Sequence, residues 1–132
     1  MPTFNDPVAD ADEVRESVRG LAHATRNIGN PTAIYGVIGS LSSSLASMAQ
    51  VLQQLGATHD GMSAGAGVVP IGRTDRATAY QVSWELHRAA EMVYQVAATV
   101  DRAHQLEAAI TYDVRGPLAP IPTARYEHGL SL

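Results

Sequence analysis

The 132-residue chain contains no cysteine and no lysine. The absence of cysteine excludes disulfides, thiolate metal sites and cysteine nucleophiles, and it fits the cytoplasm, which is the compartment we predict. All nine basic residues are arginine, and they are outnumbered by thirteen acidic residues, so the net charge is −4. Because nucleic acid and anionic lipid attract concentrated positive charge, this balance disfavours direct contact with either.

Long apolar runs are also missing, although one long stretch lacks charge. No formally charged residue lies between Arg26 and Asp60, when His59 is taken as neutral. Five serines and three glutamines in that stretch make it too polar for a membrane helix, so we expect no membrane association. Small uncharged side chains can be covered by another protein at little desolvation cost. We therefore predict a contact surface at Gly36, Ser40, Ser43 and Ser47.

Apolar residues recur at helical spacing in three stretches, which predicts helices over 13–28, 31–55 and 74–112. Asp10, three residues before Glu13, resembles the start of a capping box for the first helix. Asn30 followed by a proline is typical of a new helix start, so the second helix follows a sharp corner. Gly56 is expected to end that second helix.

Three further segments complete the prediction: a mobile acidic arm over 1–12, a Gly-rich loop over 57–72 and a Pro-rich extended tail over 113–132. The helical domain spans 13–112. A third helix of about 37 residues would be about 55 Å long, whereas a globule of this chain length is about 36 Å across. We therefore predict an elongated all-α protein, with a short first helix and long antiparallel second and third helices.

The third helix is apolar on two sides. Its main stripe is expected to pack on the other helices. An aromatic side lies about 180° away, at 100° per residue. Because aromatic residues with polar tips are favoured at interfaces, this side is predicted to contact protein, with cover by the rest of the chain or a ligand pocket as alternatives. The stripe comprises Val82, Leu86, Ala89, Val93, Val96, Val100, Ala103 and Ile110, and the aromatic side comprises Tyr80, Trp84, His87, Glu91 and Tyr94.

No catalytic motif is present. His87 and Glu91, one turn apart, have the spacing at which two side chains share a proton or a metal, but a metal site needs further ligands. The Gly-rich loop lacks the lysine of a phosphate-binding loop. We therefore predict a protein that is not an enzyme and has neither a metal nor another cofactor.

These observations favour a non-enzymatic assembly or adaptor protein that acts through homo-oligomerisation, with a dimer favoured, or through a heterologous protein partner. One alternative is a small-molecule-binding or sensor bundle, in which the aromatic side lines a pocket closed by the Gly-rich loop. Another is an accessory protein of a DNA-processing complex, because Arg15, Arg19 and Arg26 share one side of the first helix.

Overall fold

The computed structural model describes residues 1–65, 67 and 70–113. It contains three helices, α1 (Pro7–Ala24), α2 (Ala33–Ser63) and α3 (Gly72–Glu107), and no strand in the described part. The predicted all-α fold, with a short first helix and two long ones packed against each other, is confirmed. The predicted tail lies outside the described residues from position 114 onward.

Helix α1 begins at Pro7, six residues before the predicted start, and ends at Ala24 rather than at 28. The N-cap is Asp6, whose carboxylate accepts two backbone amides of the first turn at 3.1 Å, and the proline that follows loses no needed donor. Asp10, the expected cap, lies within the helix and accepts the amide of Thr3 at 2.7 Å. Half of the predicted arm is therefore helical.

Helix α2 continues to Ser63, well past the predicted end at 55. Gly56 does not end it but is buried inside it, where a Cβ atom would lie 2.9 Å from the imidazole of His87. The missing side chain lets α3 approach closely, and this packing outweighs the roughly 1 kcal/mol by which glycine disfavours a helix interior. The connection to α3 is therefore 64–71, shorter than the predicted loop.

Helix α3 begins at Gly72 and ends at Glu107, five residues before the predicted end. Beyond it the chain folds back, so that the hydroxyl of Tyr112 donates a hydrogen bond to the carboxylate of Glu107. This hydrogen bond raises the pKa of Tyr112 above its ordinary value. The fold-back replaces the last helical turn that the sequence predicts.

Small residues fill the contact between α2 and α3. The buried residues are Ala49 and Gly56 on α2 and Ala79, Ser83, Ala90 and Ala97 on α3. Larger, half-buried side chains alternate with them at the 4-3 spacing of a helix–helix seam. No large apolar side chain in the described part is fully buried. The half-buried residues are Ile38, Leu45 and Leu52 on α2 and Leu86, Val93 and Val100 on α3.

The predicted stripe of α3 is therefore only partly correct. Half of its eight residues are half-buried and half are exposed. The half-buried ones are Leu86, Ala89, Val93 and Val100, and the exposed ones are Val82, Val96, Ala103 and Ile110. Alanine and serine allow the two backbones to approach more closely than valine would. Helix α3 is therefore rotated so that its small residues face α2.

Helix α1 makes no close backbone contact with the other two, although its Leu21 lines a shallow depression together with residues of α2. None of its Cα atoms lies within 8 Å of a Cα atom of α2 or α3, and it contains no buried residue. Its apolar residues Val14 and Val18 are exposed. No helix in the described part of the chain is both long enough and apolar enough to span a bilayer.

Candidate interaction surfaces

Three aromatic side chains lie exposed along one side of α3, and we call Tyr80, Trp84 and Tyr94 the aromatic flank. Tyr80 is 61% exposed and Trp84 56% exposed. These two line a shallow, open depression. The guanidinium of Arg88 lies 5.7 Å from the Trp84 ring centre, within range of a cation–π interaction. The described part of the chain leaves this flank open to solvent.

His87 does not share the orientation of its aromatic neighbours. Its Nε2 lies 2.8 Å from Oδ2 of Asp60 on α2, and its ring rests on Gly56. The spacing of His87 and Glu91 would let them share a proton, but His87 instead makes this contact across the two helices. Sequence reasoning missed Asp60 because nothing in the sequence shows which residues of α2 face which residues of α3.

Ser83 completes this cluster by donating its hydroxyl proton to Oδ1 of Asp60. The hydrogen bonds from Ser83 and His87 hold the pKa of the Asp60 carboxyl below its ordinary value of 3.8. The arrangement differs from a catalytic triad, because the hydroxyl binds the carboxylate rather than the imidazole. Ser83 is also only 2% exposed. The cluster therefore links α2, near its C-terminal end, to α3.

A second histidine repeats the same contact near the other end of the pair. The ring of His104 stacks on Tyr35 with the ring centres 4.1 Å apart. It also rests on Gly39, where a Cβ atom would lie 2.8 Å from its Nε2. Within the part of the chain that the structure describes, no three His, Asp or Glu side chains gather to hold a metal ion.

The predicted small-residue surface lies on the outer side of α2. Gly36, Ser40, Ser43 and Ser47 are all exposed, and a Cβ atom added at Gly36 would meet no atom within 4 Å. Leu21 of α1 joins the first two of them around a second shallow depression. The described residues do not cover this surface, so its role as an interface stays a prediction.

Sequence reasoning missed a further surface, which we call the apolar flank. It consists of the residues that directly precede every seventh position of the seam, namely positions 42, 49, 56 and 63 on α2 and positions 83, 90, 97 and 104 on α3. The signal in the sequence is the recurrence of small residues at every seventh position of both helices. In an antiparallel helix pair, equivalent positions of the seven-residue repeat lie on the same side of the seam. The row of these residues on α2 therefore lies next to the row on α3. The members are Leu41, Met48, Leu55 and Met62 on α2 and Val82, Ala89, Val96 and Ala103 on α3.

The chain was compared with protein-family models, with curated proteins and with solved structures, and none of the three comparisons gives a match.

Proposed function

We propose that this chain is a non-enzymatic assembly protein that acts through homo-oligomerisation and protein–protein contacts. One observation carries the proposal: no large apolar side chain in the described part is fully buried, while many such side chains are exposed. A two-helix pair has a single internal contact, and here small residues fill it. The large apolar side chains therefore need cover from outside the pair.

The energetics of burial support this proposal. Burying apolar surface contributes about 25 cal/mol per Å², so a seam of alanine, serine and glycine stabilises the pair less than one of leucine. Leu55 is 47% exposed and Val96 is 49% exposed. Assembly would remove this surface from water, and contiguous exposed apolar surface commonly marks a protein contact.

The residue types of the aromatic flank also support contact with a protein partner. Binding energy at protein interfaces is concentrated in tryptophan, tyrosine and arginine. Trp84 and Arg88 lie against each other here, and Tyr80 lies beside them. The proposal keeps the cytoplasm as the compartment, as the cysteine-free sequence suggests.

A concentration series by sedimentation equilibrium and light scattering tests the proposal. We expect the mass of the full chain to rise from the monomer toward the dimer between about 1 and 100 µM, the micromolar range of modest affinity. Because the apolar flank carries no charge, the association should persist from low to high salt, whereas an ionic contact weakens with salt. A compact monomer throughout the series would overturn the proposal.

A further inference from the structure

We infer that the apolar flank packs on the same flank of a second copy of this chain, which gives a four-helix dimer. The inference rests on the proposed function and names the partner. In this dimer the two-fold axis runs parallel to the helices, and α2 of each copy lies on α3 of the other.

The chemistry of the apolar flank indicates what kind of partner can bind it. All eight positions are Leu, Met, Val or Ala, and α2 carries no formal charge from its start at Ala33 to His59, when that histidine is neutral. Met48, Leu55, Val82 and Val96 are each more than a third exposed. A charged peptide or nucleic acid would find no complementary group on the flank, whereas an apolar helix pair would.

The two rows of the apolar flank differ in size, and this difference points to a second copy. The row on α2 consists of leucine and methionine, and the row on α3 consists of valine and alanine. A two-fold axis parallel to the helices places the long side chains of each copy over the short ones of the other. The alternative axis, which stacks α2 on α2, would oppose long rows and leave a gap between short ones. In the favoured arrangement all neighbouring helices are antiparallel, as in many four-helix bundles.

The contacts within one copy show which residues of α2 and α3 lie at the same height, meaning the same position along the helix axes. Gly39 lies opposite His104, and Gly56 lies opposite His87, so the same number of residues separates the two glycines and the two histidines. This spacing places Met48 level with position 95, so Val96 lies within one residue, about 1.5 Å, of the same height along the helices. Because a two-fold axis parallel to the helices preserves height, Met48 of one copy should lie beside Val96 of the second copy.

The face of the helix pair that contains the apolar flank is large enough for a dimer interface. From Leu41 to Met62 it runs for about 32 Å, and two adjacent helices are about 20 Å wide. The footprint is therefore about 640 Å² on each copy, or about 1,300 Å² in total, which exceeds the roughly 1,000 Å² expected of a specific interface.

Cross-linking of two single-cysteine variants tests this arrangement, because any disulfide must come from the introduced thiols. Met48→Cys and Val96→Cys chains of distinguishable mass are mixed and oxidised mildly. We expect cross-linked dimers that contain one chain of each kind. Met48→Cys alone should give few, since its two copies lie diagonally across the bundle, beyond the 4.4–6.8 Å Cα separation that a disulfide spans. Equal cross-linking of Met48→Cys with itself, or no mixed product from a dimeric protein, would overturn the inference.

A charge placed in the apolar flank provides the second readout. Val96→Glu should weaken the dimer at least tenfold, because it buries an unpaired carboxylate. The matched control is Gln95→Glu, which adds the same charge at the adjacent exposed position and should leave the dissociation constant unchanged. Circular dichroism confirms that both variants are helical.

The outcomes separate the inference from the proposed function. If the wild-type chain dimerises and Val96→Glu does not weaken it, the inference fails and assembly through another surface stands. If the wild-type chain is monomeric because α1 or a different protein covers the apolar flank, the inference fails. A monomer at every concentration overturns the homo-oligomeric proposal as well.

Discussion

The two glycines inside α2 matter because an imidazole rests on each of them. His87 lies on Gly56 and also bonds Asp60, while His104 lies on Gly39 and also stacks on Tyr35. In both places the second contact comes from a residue one turn away from the glycine. The glycines are therefore packing sites inside a helix, although a sequence pattern reads one of them as a helix end.

Substitution of Gly56 by alanine tests this packing role. Gly56→Ala should leave the free energy of unfolding about 1 kcal/mol below that of Gly36→Ala, because its Cβ atom would lie 2.9 Å from the His87 ring and would displace that ring from Asp60. Gly36→Ala is the matched control. It meets open space in the same helix and should raise the free energy of unfolding by up to about 1 kcal/mol. Denaturant unfolding measures both, and equal stabilisation by the two substitutions would contradict the packing role of Gly56.

The Asp60 cluster predicts an acid-dependent contribution to stability. Ser83 is the main cause of the lowered pKa of Asp60, and Ser83→Ala suits a helix that already contributes three buried alanines to the seam. Carboxyl NMR should find the Asp60 midpoint below 3.8 in the wild type and higher in Ser83→Ala. Asp10, whose pKa is lowered by the backbone amide of Thr3, should titrate alike in both proteins.

The sign of the stability effect follows from the direction of that shift. A carboxyl whose folded pKa is lowered stabilises the fold above its ordinary pKa, and this stabilisation is lost as the pH falls through the lowered value. The wild type should therefore lose more stability than Ser83→Ala between about pH 5 and pH 2. Identical pH profiles of unfolding would count against a role for the Ser83 hydroxyl.

At the scale of elements, α1 is organised by its own N-terminus rather than by the other helices. The N-terminal ammonium lies 2.6 Å from the carboxylate of Glu13, and Thr3 donates its amide to Asp10. These contacts are exposed, so each contributes little by itself. The structure of α1 therefore depends on local capping.

Removal of the N-cap distinguishes α1 from the α2–α3 pair. Asp6→Ala removes the acceptor for two amides and should destabilise α1 by about 1 kcal/mol. Hydrogen exchange should become faster in α1 and stay unchanged at seam residues such as Ala49 and Ala90, because α1 makes no close backbone approach to α2 or α3. Equal acceleration in all three helices would show that α1 is coupled to the pair.

Helix existence was predictable from the sequence, whereas helix ends and faces were less so. The 4-3 spacing of large apolar residues on α2 includes Ile38, Leu45 and Leu52, which lie half-buried beside the seam. It also favoured Met48 and Leu55, which are exposed, over their small neighbours. A hydrophobic pattern identifies large apolar side chains. Close packing of two helices instead favours small residues, because they let the backbones approach.

At the scale of the molecule, the α2–α3 pair is elongated, as predicted. The 36 residues of α3 extend for about 54 Å. The exposed aromatic flank was predictable from helical periodicity in one chain segment. The Asp60–Ser83–His87 cluster was not, because its members come together only through the alignment of two helices that no local pattern encodes.

The paired glycines and histidines also help to select one alignment of α2 against α3. A seam of small residues that repeats every seventh position would look almost the same after a slip of seven residues. Such a slip would move His87 from Gly56 onto Ala49 or Ser63, and both of these carry the Cβ atom for which the ring leaves no room. His104 would likewise leave Gly39. The two imidazoles therefore favour one alignment of the two helices over the slipped ones.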